Sequence, residues 1–202
     1  MNRADAFTLL TEFVTDQSLV RHCQSVEAAM RAYARKLGQD EEKWGMVGLL
    51  HDFDYERWPT APDHPLKGSE ILRQRGYPEE VITSILSHAD YLSDRYPRVT
   101  LMDKALYACD EITCLITATA RLRPAGITDL TASSVKKKMK SKGFARGVNR
   151  DDVVRGAADF GVELDEHIQF VIDAMKTIAV ELDLVRGSGT TGTDGEPSQE
   201  QG

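Results

Sequence analysis

The chain has 202 residues, 41% of them hydrophobic and 28% charged, and Lys+Arg 25 against Asp+Glu 32 gives a net charge of -7. That length suits one domain with a sizeable buried core. The acidic balance argues against general nucleic-acid binding, whose affinity comes chiefly from neutralising phosphates. No apolar run approaches the roughly 18 residues of a membrane helix. The N-terminal MNRADAFTLLTEF carries acidic residues and no small-residue cleavage site, so no signal peptide is expected. Cys23, Cys109 and Cys114 are odd in number and lack CxxC spacing, which fits reduced thiols in a cytoplasmic protein rather than a disulfide framework.

Apolar residues recur three and four apart along most of the chain, the period of helices. Phe7, Leu10, Phe13 and Val14 form a first short stripe. Val26, Ala29, Met30, Tyr33 and Leu37 form a second, ended by Gly38 as a C-cap. Asp40 then N-caps a helix through Trp44, Val47 and Leu50. His64-Pro65 opens the next, with proline at an early helical position, and Ile71 and Leu72 carry it to Gly76. Pro78 starts another, through Val81, Ile82 and Ile85 to His88. A long helix over 101–122 is stopped by Pro124; a basic stretch follows, then a helix near 150–160. Leu164, Ile168, Val171, Ile172, Met175, Ile178, Ala179 and Leu182 mark a last amphipathic helix. There is no strand pattern of useful length and no internal repeat. From Gly187 the run GSGTTGTDGEPSQEQG lacks the apolar residues that offset ordering entropy, so a flexible tail is expected over 187–202.

The five histidines and their acidic neighbours carry the chemistry. His22 lies in RHCQSVEAAM, His51 and Asp52 are adjacent in GLLHDF, His64 lies in DHPLKGSEIL, His88 in ILSHAD and Asp110 in YACDEI. Borderline divalent metals favour imidazole and carboxylate donors, and a catalytic site keeps positions open for water and substrate. Neighbouring helical residues diverge by about 100°. His51 and Asp52 can therefore reach one ion only where a helix ends, which the FDYERWP that follows, with its proline, predicts. Asp110, inside the apolar run ALYACDEITCLI, is costly to bury without a cation. Taken singly, a histidine on an apolar helix is usually a hydrogen-bonded core residue, Asp52 a helix-end carboxylate and Asp110 the partner of an arginine. Their joint occurrence in this order points to a metal.

A histidine, an adjacent His-Asp and a distant aspartate on helices resemble the motif of the HD-domain superfamily of metal-dependent phosphohydrolases. His22, His51-Asp52 and Asp110 match it, over roughly residues 18–122. HDFDYERWP, HPLKGSEIL, ILSHADYL and VKKKMKSKGFARGVNR look like a bacterial subgroup of predicted hydrolases, extending the resemblance to about residue 185. The resemblance implies an all-α, HD-domain helical bundle as a single domain over 1–186, with a C-terminal helical extension over 131–186. It implies a divalent ion (Mn, Fe, Co, Ni or Zn), one or two per chain. It also implies cleavage of a phosphoester in a nucleotide or related small phosphorylated metabolite through a metal-activated water.

In two-metal members of the superfamily extra histidines hold the second ion, and His64 and His88 look like these. The metal set is then His22, His51, Asp52, His64, His88 and Asp110, with Asp52, His64 and His88 closest to the catalysis. With one ion, His64 and His88 would instead bind phosphate or protonate the leaving group. The cyclic-di-GMP phosphodiesterase branch has paired histidines where this chain has His88-Ala89, which disfavours that activity. Two rivals stay open: symmetrical cleavage of a dinucleoside polyphosphate, and a non-catalytic, metal-containing ligand-binding or regulatory module.

Around this set, Asp54 either orients the attacking water or lies in a solvated turn. Arg57 either contacts phosphate or shares that turn with Glu56. Lys67 either reaches phosphate or lies on a helix surface. Asp90 either supports a ligand histidine or caps a turn, and His167 reads as an ordinary helix residue. Lys136, Lys137, Lys138, Lys140, Lys142, Arg146, Arg150 and Arg155 are opposed only by Asp151 and Asp152. This stretch is either a flap over the metal site, with Lys137 and Lys138 holding phosphate, or a solvated helix face anchored by Phe144 and Val148. No stacking-rich aromatic pattern accompanies the charge. The expected partner is a small phosphorylated substrate, without membrane or nucleic acid.

Overall fold

The computed structural model describes residues 2–141 and 143–185, and the tail expected over 187–202 lies outside them. The elements are helices throughout: α1 Arg3–Phe13, α2 Gln17–Leu37, α3 Glu41–Leu50, α4 Asp63–Gln74, α5 Glu79–Ser87, a 3-10 turn at Asp90–Leu92, α6 Leu101–Arg121, α7 Ala132–Met139, α8 Arg150–Phe160 and α9 Leu164–Lys176. No strand occurs among the described residues. None of their helices is long and apolar enough to cross a membrane.

Short polar side chains set the helix starts by accepting from otherwise unpaired first-turn N–H groups. Asp16 caps α2 through Ser18, Asp40 caps α3 through Lys43, and Thr100 with Asp103 forms a capping box on α6. Gly38 and Gly161 end α2 and α8 in the left-handed conformation that favours glycine.

Three boundaries differ from the periodicity reading. The basic stretch contains a helix of its own, α7, which buries Val135 alone among its residues and so carries almost no apolar stripe to detect. The final helix stops at Lys176, and Ala179 and Leu182 reach the core from the turns that follow. In α4, His64 has φ -83° and ψ 133°, so its backbone is extended and the helix proper begins after it. A residue before proline is pushed away from helical geometry.

The two 21-residue helices, α2 and α6, are the axis of the packing. α2 rests on α3, α6 and α9, while α6 also meets α5, α7 and α8. Val26, Met30, Tyr33, Leu50, Leu106 and Ile112 are among the core side chains at these contacts. His167 is buried: Tyr33 Oη lies 2.6 Å from its Nδ1, and its Nε2 lies 2.8 Å from the Ala108 carbonyl. That arrangement ties α9 to α2 and α6 with a neutral imidazole, and burial holds its pKa below the usual value.

Two glycines set interhelix distances. A Cβ on Gly48 would fall 2.9 Å from the backbone of Glu27, and one on Gly156 would fall 2.9 Å from Ala108 Cα. Both obstacles are backbone, so α3 cannot approach α2, nor α8 approach α6, with any larger residue there. Gly48→Ala is expected to cost about 1–3 kcal/mol through forced separation of the helices. Gly143→Ala, where an added methyl meets nothing within 4 Å, should leave the thermal midpoint unchanged. Equal midpoints for the two variants would contradict the close-approach argument.

Candidate metal centre

Five helices deliver six side chains to one place. His22 comes from the second turn of α2, His51 is the C-cap of α3, and Asp52 follows as the chain leaves that helix. His64 sits in the extended backbone at the start of α4, His88 is the C-cap of α5, and Asp110 lies midway along α6. His51 and Asp52 turn to the same point because the helix ends between them and the residues that follow.

Asp52 divides its carboxylate between two pairs of imidazoles. Its Oδ2 lies 3.6 Å from Nε2 of His22 and 3.6 Å from Nε2 of His51. Its Oδ1 lies 3.3 Å from Nε2 of His64 and 3.5 Å from Nε2 of His88. Asp110 closes the first side, with Oδ1 3.2 Å from His22 Nε2 and 3.5 Å from His51 Nε2. His22, His51 and Asp52 form one group able to hold a metal ion, and Asp52, His64 and His88 another; the ligand atoms in each lie within 4.8 Å of one another.

All four imidazoles present Nε2 inward and engage Nδ1 behind. His51 Nδ1 faces the Gly48 carbonyl at 2.9 Å, and His88 Nδ1 faces the Ile85 carbonyl. His64 Nδ1 is 2.7 Å from Asp54 Oδ1. His22 Nδ1 is 3.3 Å from Cys114 Sγ and 3.4 Å from Thr113 Oγ1. A proton on Nδ1 leaves Nε2 as a lone-pair donor, the tautomer a metal ligand needs. Asp54 is fully buried and also accepts from Gly68 N at 2.8 Å. Its place is behind His64, so it is not poised beside an attacking water.

Burial opposes charge on His22, His51, Asp52, His64 and Asp110, yet the mutual contacts outweigh it. Burial would lower the His64 pKa, but the hydrogen bonds to Asp52 and Asp54 raise it to about 9. Burial would raise Asp52 and Asp110; the histidines hold both below the usual carboxylate range. Glu111, next along α6, is pushed up to about 7 by burial and by Asp110 beside it.

His22, Asp52, His64, His88 and Asp110 lie in the wall of a cavity of about 680 Å³, with His51 buried behind them. Leu19, Tyr55, Pro59 and Val148 form its apolar rim, with the Tyr55 ring edge-on to His64 at 5.1 Å between centroids. No lysine or arginine lines it among the described residues. Arg57 is absent because its guanidinium sits 3.8 Å from the Phe13 ring centroid and donates to the Glu12 carbonyl at 2.7 Å. Lys67 is exposed on α4 beside Glu70, and Lys137 is exposed on α7. Lys138 lies over the Phe144 ring at 5.2 Å. Glu56 accepts from the backbone of Thr15 and Asp16 at 2.8 and 2.9 Å, fastening the segment ahead of α2. Asp90 pairs with Arg98 at 3.0 Å and with Arg155, and supports no ligand histidine.

Among the described residues, the basic stretch contributes small and apolar residues rather than charge to the cavity. Ala145, Gly147 and Val148 line it, while Arg150 turns back to the carbonyls of Phe144, Ala145 and Val148. Asn149 N donates to Glu111 at 3.3 Å, which fastens this loop beside Asp110. Cys114 and Glu111 are cavity residues that the sequence reading missed. Their signal was spacing alone, Glu111 one position and Cys114 four positions beyond Asp110 on the same helix.

Residues 19–114 match the family model described as HD domain, a span that contains all six residues of the cluster. No solved structure matches the chain. The cyclic-di-GMP branch of that superfamily also carries a GYP signature, and those letters occur here at Gly76-Tyr77-Pro78. They form the turn between α4 and α5, with Gly76 at φ 77° and Tyr77 buried, and none of the three lines the cavity.

Asp54→Asn keeps the volume and the Gly68 contact but removes the charge behind His64. It should weaken binding of a divalent ion on the His64–His88 side about 10–100-fold, with binding on the His22–His51 side unchanged. Titration with manganese followed by calorimetry reads both; equal losses on the two sides would refute the assignment.

Proposed function

Since residues 19–114 of this chain are an HD domain, we propose that it is a cytoplasmic, metal-dependent phosphohydrolase acting on a phosphoester of a nucleotide or related small phosphorylated metabolite. The observation that carries this reading is Asp52, one oxygen facing His22 and His51 and the other facing His64 and His88. That is the disposition of a carboxylate that bridges two cations. His22, His51 and Asp110 would complete one ligand set, and His64 and His88 the other. Imidazole and carboxylate donors suit manganese, iron, cobalt, nickel or zinc. Divalent ions held there supply a Lewis acid for phosphoryl oxygens and a nucleophilic water near neutral pH.

The chain's own residues supply position and enclosure. The Nδ1 contacts fix four imidazoles, Asp54 braces His64, and the apolar rim at Leu19, Tyr55, Pro59 and Val148 suits the flat face of a base or sugar. The lack of lysine and arginine in the cavity wall among the described residues supports an arrangement in which the ions, not Lys67, Arg57, Lys137 or Lys138, meet the phosphate charge. Three unpaired thiols accord with a reducing compartment.

Metal analysis is expected to give about two ions per chain, falling to one in His64→Ala. Protein loaded with manganese, iron, cobalt or nickel should release phosphate from some member of a phosphoester panel, and His51→Ala or Asp52→Ala should abolish this. If every phosphoester stays intact while one phosphorylated ligand binds tightly, the reading as a ligand-binding module replaces this one.

Protons compete with the ions for the same nitrogens. A His64 pKa of about 9 means that, at neutral pH, an ion displaces a proton there. Apparent affinity on the His64–His88 side should therefore rise with pH up to about 9 and level off above it, by up to about tenfold per unit for one proton released. A pH-independent affinity between 6 and 9 would contradict it.

A further inference from the structure

The four histidines of the cluster are not held in the same way. His22 lies within α2, while His51 and His88 cap α3 and α5 with helical backbone angles. His64 alone has left the helix: its ψ of 133° is about half a turn from the helical value of roughly -42°. Helix geometry therefore does not set the direction of its backbone, and the imidazole moves with that backbone. Other contacts must hold the residue in place.

Asp54 takes the ring, 2.7 Å from Nδ1. The backbone is taken by Tyr91. Its hydroxyl donates to the His64 carbonyl at 2.6 Å and reaches the Pro62 carbonyl at 3.0 Å. A hydroxyl has one proton to give, and here the two carbonyls that flank Asp63 share it. With 47% of its surface exposed, Tyr91 is not a core residue, and these two contacts are its most specific ones.

Tyr91 reaches His64 from a firm base. It belongs to the 3-10 turn Asp90–Leu92, which begins two residues after His88. Leu92 is buried in the core, and Asp90 is held by Arg98 at 3.0 Å and by Arg155. Asp90 touches no ligand histidine, but it anchors the turn from which Tyr91 reaches one. The hydroxyl thus ties the backbone of His64 to the chain that leaves His88, and the Nε2 atoms of these two histidines lie 3.3 Å apart. Groups that orient a ligand tune the metal site much as the ligands do.

We propose that Tyr91 is a positioning residue for the second ion, its hydroxyl holding the His64 backbone so that Nε2 of His64 stays beside His88 and Asp52. The proposal rests on the two-ion reading of the site. It makes the two ligand sets unequal, since only the His64–His88 set depends on a contact between two turns.

Manganese is titrated calorimetrically into the full chain stripped of metal, and the binding event lost in His64→Ala identifies the His64–His88 set. Tyr91→Phe keeps the ring and removes only the hydroxyl. It is expected to weaken that event about 3–10-fold, the worth of one hydrogen bond, with the other event within about twofold. The thermal midpoint of the metal-free chain should stay close to that of the parent. Phosphate release from any phosphoester the parent cleaves should fall at limiting manganese and return at excess, because added ion refills a weakened site but does not repair a distorted fold. A His64–His88 event equal to the parent's overturns the proposal. So does a parallel loss of both events with a lowered midpoint, or a loss of activity that excess manganese leaves in place. A parent chain that binds a single ion removes the two-ion reading and the proposal with it. Two ions with no phosphoester cleaved removes only the hydrolase reading, and the titration still decides the role of Tyr91.

Discussion

Two carboxylates and four imidazoles meet among apolar helices, and Asp52 holds the group together. Desolvating two carboxylates is expensive unless cations and hydrogen bonds compensate. The structure provides compensation on both sides of Asp52, since each of its oxygens faces two Nε2 atoms. The same contacts depress the pKa of Asp52 and Asp110 and raise that of His64. Opposite shifts on facing groups are the signature of a site that attracts positive charge, whether from protons or from a divalent ion. An apolar replacement at position 52 would remove the attraction and leave four imidazoles with like-charged neighbours when protonated.

That cluster constrains the fold as much as the fold constrains it. Its members come from α2, α3, α4, α5 and α6 and the residues at their ends, so five helices must keep their spacing for Nε2 atoms to stay near 3 Å apart. Gly48 brings α3 onto α2, and thereby His51 to 3.1 Å from His22. Gly68 does the same on the other side: a Cβ there would fall 2.7 Å from the Asp54 carboxylate that braces His64. The apolar core supplies most of the stability, but these close approaches turn a bundle of helices into a site with one geometry. A site held by packed helices is more rigid than one held by loops. The exception is the segment bearing Ala145, Gly147 and Val148, and even that is fastened by Arg150 and by Asn149 to Glu111.

What was legible in the sequence follows from what each feature needs. Helices with wide apolar faces, such as α2 and α6, declare themselves through spacing, and a buried Asp110 or an adjacent His51-Asp52 is conspicuous because burial without a partner is costly. α7 was not legible, since a helix that buries one side chain has no periodicity. Neither was the role of Asp54: nothing local distinguishes a carboxylate that braces His64, ten residues on, from one in a solvated turn. The cations misled for a related reason. Arg57, Lys67, Lys137 and Lys138 stand near the motif in sequence, but helix direction decides which side chains reach the cavity. Arg57 folds onto Phe13 and Lys138 onto Phe144, each placing its charged head over an aromatic ring and leaving the metal cluster to the acids.

The resulting charge map has a consequence for the order of binding. Asp16, Asp52, Glu56, Asp110 and Glu111 line the cavity, with no lysine or arginine among the described residues to offset them. In a partly water-excluded cleft such a lining concentrates cations and repels phosphate dianions. On the phosphohydrolase reading, a phosphorylated ligand would gain access only after positive charge has entered, and divalent ions supply twice the charge of protons on the same donors. Substrate binding is thus expected to depend on prior metal loading more steeply than in a cavity with its own lysines.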